Sequence, residues 1–289
     1  MSGSEDVFSF CQSELKALDP VSHFAALTAP QEKRPALMAL FAFLTTLRRI
    51  PAQVSSKEMG EIRLQWWRDI LSDTQSNFTD GCGLANIGPL ATALKQTQKQ
   101  FQLPSDQLEA IVDAYSLDLS TSPIPNDNTY DSYARSTKGM RLALACRILN
   151  DGQSPDQLAL LFMTAGKAIS LAEHLRTWPE AAKAKRLFLP LDIFESFGLS
   201  EQDLYATPHS KQSAEAIMAL CQKASDLHKE SIEGLKDIKE GGNAHLTPAF
   251  MALAPVLPIL LKRQWKPHDH LEISNWRSYW SIWRMASKF

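Results

Sequence analysis

The sequence is poor in the features that announce most chemistries. Its four cysteines, Cys11, Cys82, Cys146 and Cys221, form no C-x-x-C pair and match no zinc-ligand spacing. Scattered thiols of this kind are expected to be buried and reduced, not to build a secreted disulfide framework. There is no Gly-rich phosphate loop, and no serine or cysteine sits in a nucleophile motif. A net charge of −2 gives no bias toward nucleic acid, and no nucleic-acid partner is expected. The N-terminal residues Met1-Ser2-Gly3-Ser4-Glu5-Asp6 are polar and acidic, unlike a signal peptide or a mitochondrial presequence. No stretch reaches the ~20 apolar residues of a membrane span. The longest apolar run, Met251 to Leu261, is interrupted by Pro255 and Pro258. Strand signals are nearly absent: Leu187-Phe188-Leu189 reads as extended, but Pro190 follows and no partner strand is evident.

What the sequence has is helical periodicity. Leu37, Leu40, Phe41, Leu44 and Leu47 recur on one helical face, and Pro51 is expected to stop that helix. The pattern continues through Ile62, Trp66 and Ile70. Leu158, Leu161, Phe162, Ala165, Ile169, Ala172 and Leu175 form a further stripe. Ser154-Pro155-Asp156-Gln157 and Thr247-Pro248 carry strong helix-start signals, and Ser200-Glu201-Gln202-Asp203 a weaker one. Breaks are expected at Asp19-Pro20, Ala29-Pro30, Ser122-Pro123 and Gly241-Gly242, and a long loop from Ser72 to Gly88. These signals predict an all-α chain of roughly ten helices, organised as one domain over residues 1–289.

Four segments carry a resemblance. Phe41-Ala42-Phe43-Leu44-Thr45-Thr46-Leu47-Arg48-Arg49-Ile50-Pro51-Ala52 resembles the first active-site helix of the squalene/phytoene synthase family. Gly60-Glu61-Ile62-Arg63-Leu64-Gln65-Trp66-Trp67-Arg68-Asp69 resembles the signature that follows it. Gly166 to Pro190 resembles the second aspartate region, which in the family reads approximately L-T-N-I-L-R-D-V-x-E-D-A-R-R-G-R-x-Y-L-P. Tyr133-Ala134 with Gly139 resembles the intervening Y-x-x-x-x-x-G helix. The resemblance implies an isoprenoid synthase-like helical bundle around a central cavity.

The departures from the family pattern fall on the chemistry. The family joins prenyl diphosphates head to head, and its aspartates hold magnesium that neutralises the departing diphosphate. The first cluster, D-D-x-x-D in the family, reads Arg48, Arg49 and Ala52 here. In the second, Thr177 and Ala181 replace aspartates, Glu173 replaces an asparagine, and Glu180 alone survives. Thr45 stands where the family carries an arginine. The expected catalytic residues and metal ligands are therefore none, with magnesium required only if other ligands have replaced the lost ones. Arg176, Lys183 and Arg186 match family arginines near the diphosphate, and with Arg48, Arg49, Glu180 and Tyr133 they define a remnant diphosphate pocket. Those cations either bind an anion directly through bidentate guanidinium contacts or form ion pairs with Glu61, Glu173 and Glu180.

The degenerate pattern resembles a branch of the family related to the respiratory complex I assembly factor. That resemblance implies a binding or assembly role beside a respiratory membrane, with a respiratory subunit as partner and a prenyl diphosphate or lipid as ligand. The implied location is cytoplasmic or peripheral at the inner membrane. An active prenyltransferase with altered metal ligands and a lipid carrier without a protein partner remain the alternatives. The C-terminal segment places Trp276, Trp280 and Trp283 on one helical face among Arg277, Arg284 and Lys288. This suits either packing onto the domain, the commoner outcome, or a membrane interface. His268-Asp269-His270 lacks a third ligand and reads as loop rather than metal site.

Overall fold

A computed structural model describes residues 2–72 and 87–289, without the side chains of residues 2–5. Cys82 and most of the expected 72–88 loop lie outside the described residues. Among the described residues there is no β-strand. The described residues form fourteen α-helices where roughly ten were expected: α1 Ser2–Leu18, α2 Pro20–Ala26, α3 Arg34–Gln53, α4 Lys57–Leu71, α5 Pro89–Phe101, α6 Ser105–Tyr115, α7 Asp127–Ala134, α8 Met140–Leu149, α9 Ala159–Lys183, α10 Leu191–Glu195, α11 Glu201–Ala206, α12 Lys211–Glu240, α13 Val256–Trp265 and α14 Asn275–Lys288. The chain clusters into two compact units, the first Met1–Leu119, Met140–Gln157 and His245–Ala249, the second Ser120–Gly139, Leu158–Ala244 and Phe250–Phe289.

The first unit is organised on α3, which packs against α1, α5 and α8. Its stripe of Leu37, Leu40, Phe41, Leu44 and Leu47 is buried as expected. Pro51 does not stop the helix; it sits in the last turn, and helical geometry runs on to Gln53. A proline there forfeits only the hydrogen bond its own N–H would have made. On α4 the buried stripe is Gly60, Leu64, Trp67 and Leu71, with Ile70 beside it, whereas Ile62 and Trp66 are exposed. Trp67 meets the edge of Phe43 at 4.8 Å between centroids. Asp19 is the N-cap of α2, accepting from the Ser22 amide at 3.0 Å, and Pro20 opens the helix.

In the second unit α9 packs against α7, α11, α12 and α13. Its stripe from Phe162 to Leu175 is buried, together with Thr164, Ala168, Ser170 and Leu171 on its other sides. The helix-start signals behave unlike their strength in the sequence. Ser154 Oγ donates to Asp156 at 2.5 Å, a 3₁₀ turn follows, and α9 begins at Ala159 with no side-chain cap. Thr247 is buried inside the 3₁₀ helix Ala244–Leu253, whose N-cap position is Asn243. The weaker signal is the one realised: Ser200 and Asp203 form a reciprocal capping box on α11. Leu187 lies in irregular chain, which meets Ile124 through Ile124 N–H to Leu187 O at 3.4 Å and Leu191 N–H to Ile124 O at 2.9 Å.

Three cysteines, Cys11, Cys146 and Cys221, are free and buried. Burial pushes the thiols of Cys11 and Cys221 up to about 12, so they stay protonated and unreactive at neutral pH. Two stretches do reach the length and mean hydropathy of a membrane span, residues 156–183 and 244–265, contrary to the expectation from consecutive apolar residues. Their most apolar windows are 61% and 50% buried within the fold, the pattern of core helices.

Candidate functional site

The best-defined site in the second unit is built where α9 crosses a π-helical turn, Arg135–Gly139, that follows α7. The crossing is close because both helices offer glycine. A Cβ on Gly166 would stand 2.5 Å from the backbone nitrogen of Gly139, and one on Gly139 would stand 3.1 Å from the Phe162 carbonyl oxygen. The wide π turn directs Lys138 inward, where only 7% of its surface remains exposed. Its ammonium donates to Glu173 Oε2 at 2.5 Å. Glu173 stands where the family pattern has an asparagine, so a partly buried ion pair lies beside the lost aspartate positions of α9.

The next residue on α9, His174, lies in an aromatic nest. Its ring is 5.7 Å from Tyr130, 5.8 Å from Tyr133 and 5.4 Å from Phe188. Tyr130 donates to Ser170 Oγ at 3.1 Å, and its oxygen lies 2.9 Å from His174 Nδ1. With the phenol proton on Ser170, the imidazole is the donor to Tyr130. Burial lowers the His174 pKa to about 4, with Glu173 opposing the shift and Lys138 reinforcing it. The ring is neutral at physiological pH, and burial also raises the Tyr130 phenol well above its ordinary value. The nest holds two neutral groups beside one closed ion pair.

The remnant pocket residues separate into groups. Tyr133 and Arg186 join the nest, the Arg186 guanidinium lying 5.1 Å over the Phe188 ring. Glu180 bonds to His270 instead. Burial works against the Glu180 charge, but the His270 hydrogen bond and a backbone amide hold its carboxyl below the usual range. Arg176 lines a cleft of about 650 Å³ with His270, Lys262 and Arg277. Lys183 is exposed. In the first unit Arg49 and Ala52 are exposed. Arg48 donates to Asp19 Oδ2 at 3.3 Å.

Ion pairing thus governs much of the set, with partners the sequence did not single out. Glu61 pairs with Arg68, Glu173 with Lys138 and Glu180 with His270. Asp19, Lys138 and His270 have no counterpart in the family pattern as read, and each lies far along the chain from its partner. Only the charged character of Lys138 within the Tyr133–Gly139 segment was available as a signal.

Magnesium requires oxygen donors that converge, usually carboxylates plus substrate phosphate. Here Glu173 is neutralised by Lys138, and Thr177 Oγ1 donates to the Glu173 carbonyl at 3.2 Å. Ala181 has no donor. Among the described residues no three His, Cys, Asp or Glu side chains converge to hold a metal ion. The donor set does not fit the family's magnesium cluster. His268 and His270 also part company: His268 meets the edge of His209 at 5.0 Å, while His270 turns to Glu180.

The squalene/phytoene synthase family model matches residues 15–284. The chain belongs to this family. Among curated relatives, the human "NADH dehydrogenase (ubiquinone) complex I, assembly factor 6" is 26% identical over 74% of this chain and 62% of its own length. The chain therefore spans less than two thirds of that relative. The "presqualene diphosphate synthase" of Rhodopseudomonas palustris is 23% identical over 69% of this chain and 67% of its own. In fold, a dehydrosqualene synthase solved with a ligand superposes with a TM-score of 0.75, covering 99% of this chain and 97% of that one at 17% identity. The all-α isoprenoid synthase fold expected from the sequence is the fold observed.

Proposed function

We propose that this family member makes no prenyl–prenyl bond and acts by binding, as an assembly factor for the respiratory NADH dehydrogenase complex. The observation that carries the reading is the Lys138–Glu173 ion pair. It ties Glu173, beside the lost aspartate positions of α9, to an internal ammonium, so this carboxylate is committed within the protein and not offered to magnesium. The Arg48, Arg49 and Ala52 substitutions on α3 and the Thr177 and Ala181 substitutions on α9 support the same reading. Similarity to assembly factor 6 in human supplies the partner class, a subunit of that complex. The protein works in the cytoplasm or peripherally at the inner membrane, without a metal cofactor.

The remaining cations support a secondary role in holding a prenyl diphosphate or lipid. Arg176 and Arg186 keep family arginine positions, and guanidinium binds phosphate without a metal. Relatives that are synthases keep the active prenyltransferase as the second reading, for which new metal ligands would be needed.

The test is deletion of the gene from its own organism, with assembled NADH dehydrogenase followed on native gels. The expected result is loss of the assembled complex with its subunits still synthesised, and capture of at least one subunit by the tagged protein from solubilised membranes. Normal assembly in the deletion strain overturns the assignment.

A further inference from the structure

The C-terminal helix packs opposite to the commoner expectation. On α14 the inward row is Ser278, Ile282 and Met285, all buried. The tryptophans occupy the outward row: Trp276, Trp280 and Trp283 are 74%, 51% and 60% exposed. A soluble helix normally turns its largest apolar side chains to the core, because each buried aromatic contributes a large area. On α13 the same arrangement recurs. Val256, Ile259 and Leu260 face inward with Arg263, while Leu257, Leu261 and Trp265 stand out, Trp265 at 87% exposure.

The outward row of α13 borders a cleft of about 460 Å³ lined by Leu261, Trp265, Ile273 and, from α14, Arg277. Lys262 and Arg277 are shared with the neighbouring larger cleft, which Arg176 also lines. Charge on this surface is one-sided. From residue 241 to the C-terminus there are six Lys and Arg against two acids, Asp269 and Glu272, in a chain whose net charge is −2. Asp269 is paired with Lys266 at 3.3 Å. Glu272, on the wall of the larger cleft, lies 4.0 Å from His270 Nε2 and is its one carboxylate. Lys262 Nζ donates to the Glu272 carbonyl at 2.5 Å, whereas among the described residues Arg176 and Arg277 have no side-chain hydrogen bond or ion pair. Arg284 lies 4.7 Å over the Trp280 ring.

Position is set by Arg263, which is fully buried. It donates to the carbonyls of Lys266, Pro267 and Asp269 at 2.8, 3.1 and 2.9 Å and to that of Arg176 at 2.9 Å. Trp178 Nε1 donates to the same Pro267 carbonyl at 2.9 Å. The loop between α13 and α14 is therefore tied to α9.

We infer that the α13–α14 face docks on a bilayer containing anionic lipid, with the four exposed tryptophans at the headgroup level and a lipid phosphate in the cleft bounded by Arg176, Lys262 and Arg277. Tryptophan favours that interface because one edge of the ring is polar and the rest apolar. Cations interleaved among tryptophans, with no acid from Ile273 to Phe289, complement an anionic surface. A protein partner has no need of this uniform sign. The face lies on the surface rather than across the bilayer, since the inward rows are already occupied by the fold. The inference is independent of the assembly reading and holds equally for an active synthase.

The test is co-sedimentation of the full chain with vesicles of phosphatidylcholine alone and of phosphatidylcholine mixed with phosphatidylglycerol. The expected result is salt-sensitive binding to the mixed vesicles with a blue shift in tryptophan emission. The exposed-residue variant W276S/W280S/W283S is expected to bind at least about ten-fold more weakly with its melting temperature kept. K262Q and R277Q are each expected to weaken binding about five-fold. No binding to mixed vesicles overturns the inference, as does equal binding by the triple-serine variant. So does a concentration-dependent dimer, seen without vesicles in sedimentation velocity and lost in that variant, which would make a second copy the occupant. Preference for neutral vesicles would contradict the phosphate cleft.

Discussion

The two helices that carry the family's aspartate clusters have lost them in different ways. On α3 the replacements lie at or near the surface: Arg49 and Ala52 are exposed, and Arg48 reaches an N-cap aspartate already engaged with Ser22. On α9 the replaced positions, Glu173, Thr177 and Ala181, are half-buried. Glu173 is held by a lysine that a π turn delivers to it, and Thr177 is bonded to its own backbone. An exposed pair contributes little, about 0–1 kcal/mol. A buried pair is costly to break because the surviving partner is left charged and poorly solvated. The two helices thus differ in how their replaced positions are engaged, by solvent on α3 and by neighbouring protein groups on α9.

The comparison is broken most severely at the crossing that supports the interior. Gly166→Ala places a methyl against the Gly139 backbone, where no flexible side chain can yield. It is expected to destabilise by about 3 kcal/mol or more, seen as a lower melting temperature and a reduced denaturant midpoint. Next comes Lys138→Met, expected to cost about 2–3 kcal/mol by removing the ammonium that donates to Glu173. The double variant K138M/E173L is expected to recover most of that loss in the same denaturant titration. If it does not, Lys138 is needed for more than neutralising Glu173.

Acid sharpens the contrast further. The His174 pKa falls from 6.5 to about 4 on folding. Between those values the unfolded chain binds a proton that the folded chain refuses, so stability drops as pH falls through that window and is unaffected above it. The loss is at most roughly 3 kcal/mol. In H174Q the slope of stability against pH between 6.5 and 4 is expected to flatten, as measured by chemical unfolding at several pH values. The smallest effect belongs to α3. Arg48→Gln is expected to change stability by less than about 1 kcal/mol and to lose even that at high salt.

Much of the architecture was legible in the sequence because it rests on local period and on the family motifs. The α3 stripe and the α9 stripe read correctly. Misreadings came where a helix has apolar residues on two sides. On α4, Ile62 and Trp66 share a period with Ile70, yet the buried row is the one through Leu64 and Trp67. On α14 the tryptophan row has the stronger apolar signal, yet Ser278, Ile282 and Met285 pack inward. Period identifies a face but does not say which neighbour covers it. The site partners were hidden for a different reason. Lys138 and Glu173 are joined by a π turn and a glycine crossing, neither of which leaves a periodic mark. The Glu180–His270 pair spans even more of the chain.

The central claim is that the family's fold has been kept without its metal-dependent chemistry. Its most direct test is turnover of farnesyl or geranylgeranyl diphosphate by the purified chain, with and without magnesium, following diphosphate release and hydrocarbon products beside an active synthase. The account predicts no product above background in either condition. Magnesium-dependent product would contradict it, and would show that carboxylates outside the two lost clusters hold the metal.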